Sequence, residues 1–459
     1  MKGNLVSTLL CVWAIHKTLC LKTSDIGAEV KGSEALLRKA DKEFDDPYKE
    51  LRRTQKDHLL PSGDSQSNRM NHVSKSQAGE IMDEINSASS SRSRRQAFRD
   101  QRYPDTIWRN DRVAFFFSNT TSEKVKTVFR KGAKLWRDNT CIDIYEDTCG
   151  LSPDRIRVIT DDGCSSNIGR TGGEQEISLG EGCETVANAA HELGHALGFY
   201  HTQSRHDRFE YITVNFQNIY PEHQVEFLSR TSNTNYNYGL PLDFGSIMLY
   251  DANAGSIYPT ILPSMVPNDP NYAETMGSPF ISFYDMLMLN MHYNCTDKCK
   301  AESSAECKNG GFPHPRNCNK CICPSGYGGR LCNERPPGCG KELEALPTAQ
   351  TLEDTVGSRS SMEEPRDDFE KCHYWIKAPT GKKIEVKLLS FSLRGLEKHG
   401  CRYGGVEIKT QADQRLTGYR FCSDQAVNRV LVSSSNIVPI ITYNSFYEST
   451  TEIQYRYLD

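Results

Sequence analysis

The sequence predicts a multidomain protein in which an α+β domain is followed by a small disulfide-rich module and an all-β sandwich. The chain has 459 residues, which is roughly two to three times the size of one domain. Its central block mixes segments of helical and strand periodicity, a short cysteine-crowded stretch follows, and the last block alternates like consecutive strands. These three patterns indicate separate folding units.

Composition and charge exclude two classes of partner. The chain has 55 Lys and Arg residues and 59 Asp and Glu residues, so its net charge of −4 lacks the basic footprint of a nucleic-acid-binding protein. No run of about 18 apolar residues occurs. We therefore predict no nucleic-acid partner and no membrane span.

The N-terminal residues are typical of a secretory signal. Lys2 precedes an apolar stretch from Leu5 to Ile15 that is too short to cross a bilayer. The chain also has 17 cysteines, a content that an oxidising compartment permits. We predict a signal peptide over residues 1–20 and a secreted, extracellular protein. A core helix at the N-terminus is the alternative.

Residues 21–95 have the composition of a removable segment. They are rich in Lys, Glu, Asp and Ser and carry few apolar side chains, so they bury little core. The segment closes with Arg92-Ser93-Arg94-Arg95, which resembles a proprotein-convertase site, and aromatic residues follow soon afterwards. We predict a propeptide over residues 21–95 and a zymogen that is activated by cleavage after Arg95. A solvated run of charges is the alternative.

The central block reads as a mixture of strands and helices. Residues 112–118 are rich in β-forming side chains. Ser122 is a candidate N-cap for a helix whose apolar residues recur at helical spacing, so one face should pack on a sheet. Further strands and a second helix are predicted at residues 141–145, 155–160, 176–179 and 185–197.

The second predicted helix carries the pattern H-E-x-x-H-x-x-G-x-x-H. His191 and His195 lie on one helical face, so both imidazoles can bind one zinc ion. Glu192 then lies beside the metal as a candidate general base toward a water molecule. Gly198 can take a positive φ and end the helix, which lets His201 return as a third ligand and leaves one position open.

A methionine further along the chain extends this pattern. Ser246-Ile247-Met248-Leu249-Tyr250 has the form of a Met-turn, in which Met248 places a thioether beneath the metal. Together with the three histidines, it is the extended signature of the metzincins. The alternative is that these histidines are ordinary core residues with satisfied hydrogen bonds. It is weak, because Gly198 and His201 stand at the spacing that the extended motif requires.

From about Tyr103 to Cys295 the chain resembles the astacin family of zinc metalloendopeptidases. The family pattern appears here as HELGHALGFYHTQSRHDR. A tyrosine two residues after the Met-turn methionine separates astacins and serralysins from other metzincins, and Tyr250 stands at that position. The resemblance implies an α+β zincin/metzincin catalytic domain, which we expect over residues 96–296. It also implies one Zn²⁺ per catalytic domain.

The resemblance implies a role for each residue of this chain that matches the astacin motif. The resemblance implies that zinc is bound by His191, His195 and His201. It implies that Glu192 polarises the attacking water, and that Tyr250 is an additional ligand that swings away to steady the oxyanion.

Disulfides and substrate geometry also follow from the resemblance. It implies the pairs Cys141–Cys295 and Cys164–Cys183. It further implies an extended substrate that pairs antiparallel with an edge strand near residues 176–179, so that an internal peptide bond is cut.

Two positions depart from the family pattern. Thr202 stands where the family has a glutamate that anchors the new N-terminus, so we expect the anchoring of Gln96 to be absent or differently made. The family propeptide blocks the zinc through an aspartate in an F-x-G-D motif, and the nearest matches here lack the phenylalanine. We favour Glu80 over Asp64 as the inhibitory ligand, because its distance from the cleavage site fits better.

Two further resemblances cover the rest of the chain. Six cysteines between Cys299 and Cys332 resemble an EGF-like module, which we expect over residues 297–333. The sequence CHYWI from Cys372 resembles the CUB signature, and we expect a CUB sandwich over residues 339–459. Both modules imply contacts with other proteins. Calcium binding stays open, since Gly404-Gly405 displaces the aspartate that many CUB domains use.

Cys149 has no partner in the family pattern. It is a free thiol, an intermolecular bridge, or a sign that another assigned pair is wrong. Asn119 and Asn294 begin glycosylation sequons, the second a poorer one because Cys295 is expected to be bridged.

The whole pattern predicts a secreted zinc metalloendopeptidase of extracellular proteins. The accessory modules favour substrates in the extracellular matrix or at the cell surface, by analogy only. One alternative is a non-catalytic adhesion protein with an inactive protease fold, against which the intact Glu192 argues. Another is a matrixin, which requires a propeptide cysteine that the sequence lacks after Cys20.

Overall fold

The computed structural model describes residues 71–73, 97–98, 105–259, 261–359, 364–392 and 399–459. Apart from residues 147–152, these form one compact unit. Within these ranges, no helix is both long and apolar enough to cross a membrane. The predicted signal peptide, the processing site at Arg95 and the predicted ligand Glu80 lie outside the described residues.

In its described residues, the first domain combines a central sheet with three α-helices and several short strands. In chain order its elements are β1 Asn71–Val73, β2 Ala97–Phe98, β3 Arg112–Phe117, α1 Glu123–Asn139, β4 Asp143–Glu146, β5 Arg155–Ile159, β6 Cys164–Ser166, β7 Glu174–Leu179, α2 Val186–Ala196, β8 Ile212–Val214, β9 Asn235–Tyr236, β10 Met265–Pro267 and α3 Phe283–His292.

The central sheet has the strand order β1-β6-β7-β5-β3-β4. Strands β4, β3, β5 and β7 run parallel, whereas β6 is antiparallel to β7. Because β7 lies between β5 and β6, the prediction of an edge strand near residues 176–179 is wrong. The three-residue strand β6 lies beyond β7, and β1 pairs with β6 in parallel orientation at the end of the sheet.

Helix α1 packs against both the sheet and helix α2. The Ser122 side chain accepts a hydrogen bond from the Val125 amide and begins the helix as predicted. Trp136, fully buried, donates from Nε1 to the Ala190 carbonyl of α2 at 2.8 Å. The helices cross closely at Gly132, where a Cβ atom would lie 2.9 Å from the Ala190 nitrogen. Only a glycine permits this spacing, so α1 sets the position of α2.

Helix α3 closes the first domain. Its N-terminus has a capping box in which the Ser282 hydroxyl accepts from the Asp285 amide and the Asp285 carboxylate accepts from the Ser282 amide. The Cys141–Cys295 disulfide joins the residues after α3 to the chain before β4, and Cys164–Cys183 joins β6 to the approach to α2.

The small disulfide-rich module follows, with a hairpin of β11 Phe312–His314 and β12 Asn317–Ile322. Three disulfides hold it together, and its apolar core is correspondingly small. These disulfides are Cys299–Cys318, Cys307–Cys321 and Cys323–Cys332.

The last domain is a sandwich of two sheets around one apolar core. The five-stranded sheet has the order β13-β15-β20-β17-β18 and the four-stranded sheet the order β14-β21-β16-β19, with the disulfides Cys339–Cys372 and Cys401–Cys422. The strands are β13 Glu342–Glu344, β14 Gln350–Gly357, β15 Glu370–Lys377, β16 Lys383–Ser392, β17 Gly404–Ile408, β18 Tyr419–Phe421, β19 Val430–Val432, β20 Ile437–Asn444 and β21 Glu448–Leu458.

Residues 147–152 form a tight loop. The Asp147 carboxylate accepts hydrogen bonds from the amides of Leu151 and Ser152. Cys149 is disulfide-bonded, so the free-thiol interpretation is wrong.

Candidate metal centre

Helix α2 places two of the predicted ligands on one face. It begins at Thr185, whose side chain accepts from the Asn188 amide at 3.1 Å. The chain turns sharply at Gly198, which has a φ of 109°. A side chain there would strain the backbone and approach His292, with a Cβ atom 3.0 Å from its Nε2. The turn directs the following residues back toward the helix.

This turn brings His201 to the two histidines of α2. The Nε2 atoms of His191 and His195 lie 3.1 Å apart, and the Nε2 of His201 lies 3.2 and 3.0 Å from them. All three side chains are buried. Three imidazole nitrogens that converge on one point are the ligand set of a zinc site with an open fourth position.

Each histidine is also held through its other ring nitrogen. Nδ1 of His191 donates to the Ile247 carbonyl, and Nδ1 of His195 to the Phe199 carbonyl, each at 2.7 Å. Nδ1 of His201 lies 3.7 Å from a carboxylate oxygen of Glu226. The two hydrogen bonds orient the rings of His191 and His195 with Nε2 inward, as metal-binding histidines require, and the carboxylate of Glu226 faces Nδ1 of His201.

Glu192 fits a zinc-dependent site. Its side chain is fully buried, and neither carboxylate oxygen has a hydrogen-bond partner among the described residues. Burial, and secondarily the charge of Glu226, raises the pKa of Glu192 well above its ordinary value. An orphaned carboxylate of this kind is costly in an apolar setting. A cation and a water molecule at the adjacent histidines would satisfy it.

Tyr250 and Met248 lie close to the histidine-bearing segment. The Tyr250 ring is 4.2 Å from that of His201, centre to centre, and burial raises the pKa of its phenol well above the usual range. The Met248 sulfur packs under α2, where a Cβ atom on Gly194 would lie 2.5 Å from Sδ. The structure therefore brings the predicted histidines, Glu192, Met248 and Tyr250 together.

Sequence reasoning missed Asp285, a residue that supports this site. Its buried carboxylate accepts hydrogen bonds from the Ser246 hydroxyl at 2.6 Å and from the Ile247 amide at 3.0 Å. Burial raises the pKa of Asp285 to about 6 against the opposing effect of these bonds. The S-x-x-D pattern of residues 282–285 signals a helix start, but nothing in it signals contact with the Met-turn.

The segment after the predicted processing site is anchored without the family glutamate. Ala97 is fully buried, and β2 pairs with β9. The Phe98 amide donates to the Gly198 carbonyl at 3.0 Å. Thr202 instead shares a 3.0 Å hydrogen bond between its hydroxyl and that of Ser246.

The two glycosylation sequons lie at the surface. Asn119 is exposed in the turn between β3 and α1, and Asn294 is exposed with a left-handed φ of 52° beside the bridged Cys295.

Comparison with known proteins agrees with this geometry. A family model for the astacin peptidases matches residues 100–294, and a CUB domain model matches residues 348–455. Zinc metalloproteinase nas-25 of Caenorhabditis elegans is 37% identical over 376 residues, which cover 79% of this chain and 90% of that protein. This chain belongs to the astacin family.

Other astacin relatives match different shares of the chain. Zinc metalloproteinase nas-31 of C. elegans is 47% identical over 377 residues, which cover 82% of this chain but 60% of that protein. High choriolytic enzyme 1, a hatching enzyme zinc-protease from Oryzias latipes, is 30% identical with a TM-score of 0.40, and the match covers 43% of this astacin chain and 98% of that chain. The family models, the match to nas-25 and the histidine cluster confirm the predicted family, fold class and single zinc ion.

Proposed function

We propose that this chain is a secreted zinc metalloendopeptidase that hydrolyses internal peptide bonds of extracellular proteins, and that it is made as a zymogen activated by cleavage after Arg95. The observation that carries the proposal is the buried carboxylate of Glu192, which has no hydrogen-bond partner in the described part of the chain, beside three convergent histidine nitrogens. A metal site with a structural role alone does not require a buried carboxylate beside its ligands.

The side chains divide the work of hydrolysis between them. When bound, zinc supplies a Lewis acid that polarises the scissile carbonyl and acidifies a water molecule. His191, His195 and His201 hold the ion and leave room for substrate. Glu192 accepts a proton from the attacking water and passes it to the leaving amine. Tyr250, a neutral phenol, donates a hydrogen bond to the developing oxyanion.

The pairing of β1 with β6 supports the zymogen. Once residues 71–73 are removed, strand β6 becomes the edge of the central sheet, where an extended substrate would add as a further strand. Residues 71–73, which belong to the predicted propeptide, occupy that edge in parallel orientation. A bound propeptide strand excludes a substrate from the same edge. The role of Glu80 as the inhibitory zinc ligand stays a prediction.

The burial of the chain after Arg95 supports the position of cleavage. Ala97 and Phe98 already pair with β9 in the catalytic domain. A cut after Arg95 would therefore release the preceding residues and leave this anchor in place.

The disulfides support secretion and an extracellular substrate. Seven disulfides join described cysteines, each within one of the three successive domains, as is usual in an oxidising compartment. The EGF-like and CUB modules favour protein substrates of the extracellular matrix or the cell surface, and glycosylation at Asn119 and Asn294 would accompany secretion.

The proposal is tested by cleavage of a labelled peptide library. The processed wild-type protein should cut internal bonds, and activity should vanish on chelation and in Glu192→Ala. Glu184→Ala, at a partly exposed glutamate in the loop before α2, is the matched control and should retain activity. A wild-type protein that binds zinc but cuts nothing would favour a non-catalytic adhesion protein.

A further inference from the structure

We propose that the CUB domain is part of the zinc site's support, with Thr417 as a positioning residue that orients His191 through the loop carrying the Met-turn. This inference rests on the proposed zinc peptidase function. We name residues 243–253 the Met-turn loop. The CUB domain contacts this loop at both ends, and each contact can be followed to the histidines.

At the first end, Asp243 joins the loop to the CUB domain. Its carboxylate is buried and accepts from the Thr417 amide at 3.2 Å and the Thr417 hydroxyl at 3.1 Å. The same carboxylate accepts from the Gly245 amide at 3.1 Å. Because burial raises the pKa of Asp243, the ionised acid depends on these donors. Loss of the Thr417 hydroxyl leaves a buried acceptor unsatisfied.

Packing reinforces this contact. A Cβ atom on Gly245 would lie 2.2 Å from the Thr417 hydroxyl oxygen, so the CUB residue rests directly on the backbone of the loop. The backbone beside Thr417 is also fixed, because the amide of Gly418 donates a hydrogen bond of 3.0 Å to the buried carboxylate of Glu407.

From Asp243 the loop leads directly to a zinc ligand. The Ser246 amide donates to the Asp243 carbonyl at 3.1 Å, which forms the turn. The next residue, Ile247, accepts at its carbonyl the hydrogen bond from Nδ1 of His191. A shift of the turn therefore changes the orientation of the His191 ring, and outer partners of metal-bound histidines tune metal affinity.

At the second end, a CUB segment of residues 399–402 holds the loop after Tyr250. The Asn253 side chain lies 2.6 Å from Nε2 of His399, and Arg402 lies 3.6 Å from the carboxylate of Asp251. Gly400 reaches the loop indirectly: a Cβ atom there would lie 2.1 Å from the Gly277 carbonyl oxygen, and Gly277 in turn packs on Asp251, with its own Cβ position 2.5 Å from the Asp251 Cβ. Both ends of the Met-turn loop are thus clamped by one domain.

The experiment uses the full chain with point variants, and measures zinc affinity by competition with a chromophoric chelator. Thr417→Val removes the hydroxyl at nearly constant volume, and we expect zinc affinity to fall about 3- to 10-fold, less than for a direct outer-shell partner. The absorption spectrum of the cobalt-substituted protein should change, and kcat should fall more than KM rises. Thr417→Ser keeps the hydroxyl and should restore wild-type values.

The matched control is Thr442→Val, which removes another buried threonine hydroxyl of the CUB domain that is bonded to a carboxylate, that of Asp354. It should leave zinc affinity and the cobalt spectrum unchanged. If Thr417→Val does not fold, Asn253→Ala at the other end of the loop should lower zinc affinity about twofold.

Two results would overturn the inference. One is a folded Thr417→Val with wild-type zinc affinity and cobalt spectrum. The other is an equal loss in Thr442→Val, which would show general destabilisation. In both cases the wild-type chain still binds zinc, so the proposed function stands. A wild-type chain that binds no zinc removes the proposed function itself, and this inference with it.

Discussion

The hydroxyl of Ser246 donates a hydrogen bond of 2.6 Å to the carboxylate of Asp285, which is also the capping-box residue of helix α3. One buried acid therefore ties the start of a helix to the turn beneath the zinc ligands. The stability of the domain and the geometry of its metal site depend on the same side chain.

Replacement of this acid should affect both properties. In Asp285→Asn, the charged acceptor of the Ser246 hydroxyl and of the Ile247 and Ser282 amides becomes neutral, and the Ser246 hydroxyl must turn to accept from the new amide nitrogen, so these buried hydrogen bonds are weakened. We expect the free energy of unfolding to fall by about 2 kcal/mol, and zinc affinity to fall by about tenfold. Urea unfolding and chelator competition measure the two effects. The exposed Asp105→Asn is the control, and an equal effect there would contradict this account.

The close crossing of α1 and α2 makes a second prediction. In Gly132→Ala, the new methyl group meets the Ala190 backbone of α2 at 2.9 Å. The gain in helix propensity cannot compensate for this overlap, so we expect a net destabilisation of about 1–3 kcal/mol. Thermal unfolding measures it. Lys134→Ala on the exposed side of the same helix should cost less than about 0.5 kcal/mol, and a stabilised Gly132→Ala would refute the packing argument.

Removal of the Tyr250 hydroxyl tests its assigned role. Tyr250→Phe keeps the ring beside His201 but removes the donor to the oxyanion, so kcat should fall about 100-fold while KM changes little. Steady-state kinetics on a fluorogenic peptide measure both constants. Tyr258→Phe, at a tyrosine that is 58% exposed in the same domain, should match the wild type. Unchanged kcat in Tyr250→Phe would exclude the phenol from catalysis.

Acid stability should depend on Glu407 in the CUB domain. Burial raises the pKa of this carboxyl, but Arg420 and Lys409, with hydrogen bonds from Ser325 and Gly418, lower it to about 2. Because the folded pKa lies below the unfolded value, the stabilisation is complete above about pH 5 and is lost as the pH falls toward 2. It is on the order of 3 kcal/mol.

The variant Glu407→Gln isolates this contribution. Its free energy of unfolding should lie below that of the wild type at neutral pH, and the difference should shrink as the pH falls from about 5 to 3. Urea unfolding at several pH values gives both slopes. Parallel slopes for variant and wild type would show that another group titrates.

The helices and the metal ligands could be predicted from the sequence because their signals are local. Ser122 and the spacing of apolar residues after it predict α1, and the histidine spacing with Gly198 predicts how α2 ends. Strand β6 was missed, since three residues carry no readable period. Because β6 pairs with β7, the strand that the family resemblance implied as an edge is an interior strand.

Contacts between distant parts of the chain could not be predicted. Asp243 and Thr417 are 174 positions apart, and each is an ordinary polar residue in its own segment. Their pairing depends on how two folded domains meet, which no local pattern records. The bonding of Cys149 was undecidable for the same reason, because one cysteine has no spacing that names its partner.

The most direct test of the central claim is the zinc content of the purified full chain, measured by mass spectrometry of the element. One zinc ion per chain is expected in the wild type and in Glu192→Gln, because Glu192 lies beside the ligands and does not bind the ion. His201→Ala should lose most of its zinc while it remains folded by circular dichroism. A wild-type protein without stoichiometric zinc, or a His201→Ala variant that retains it fully, would contradict the account.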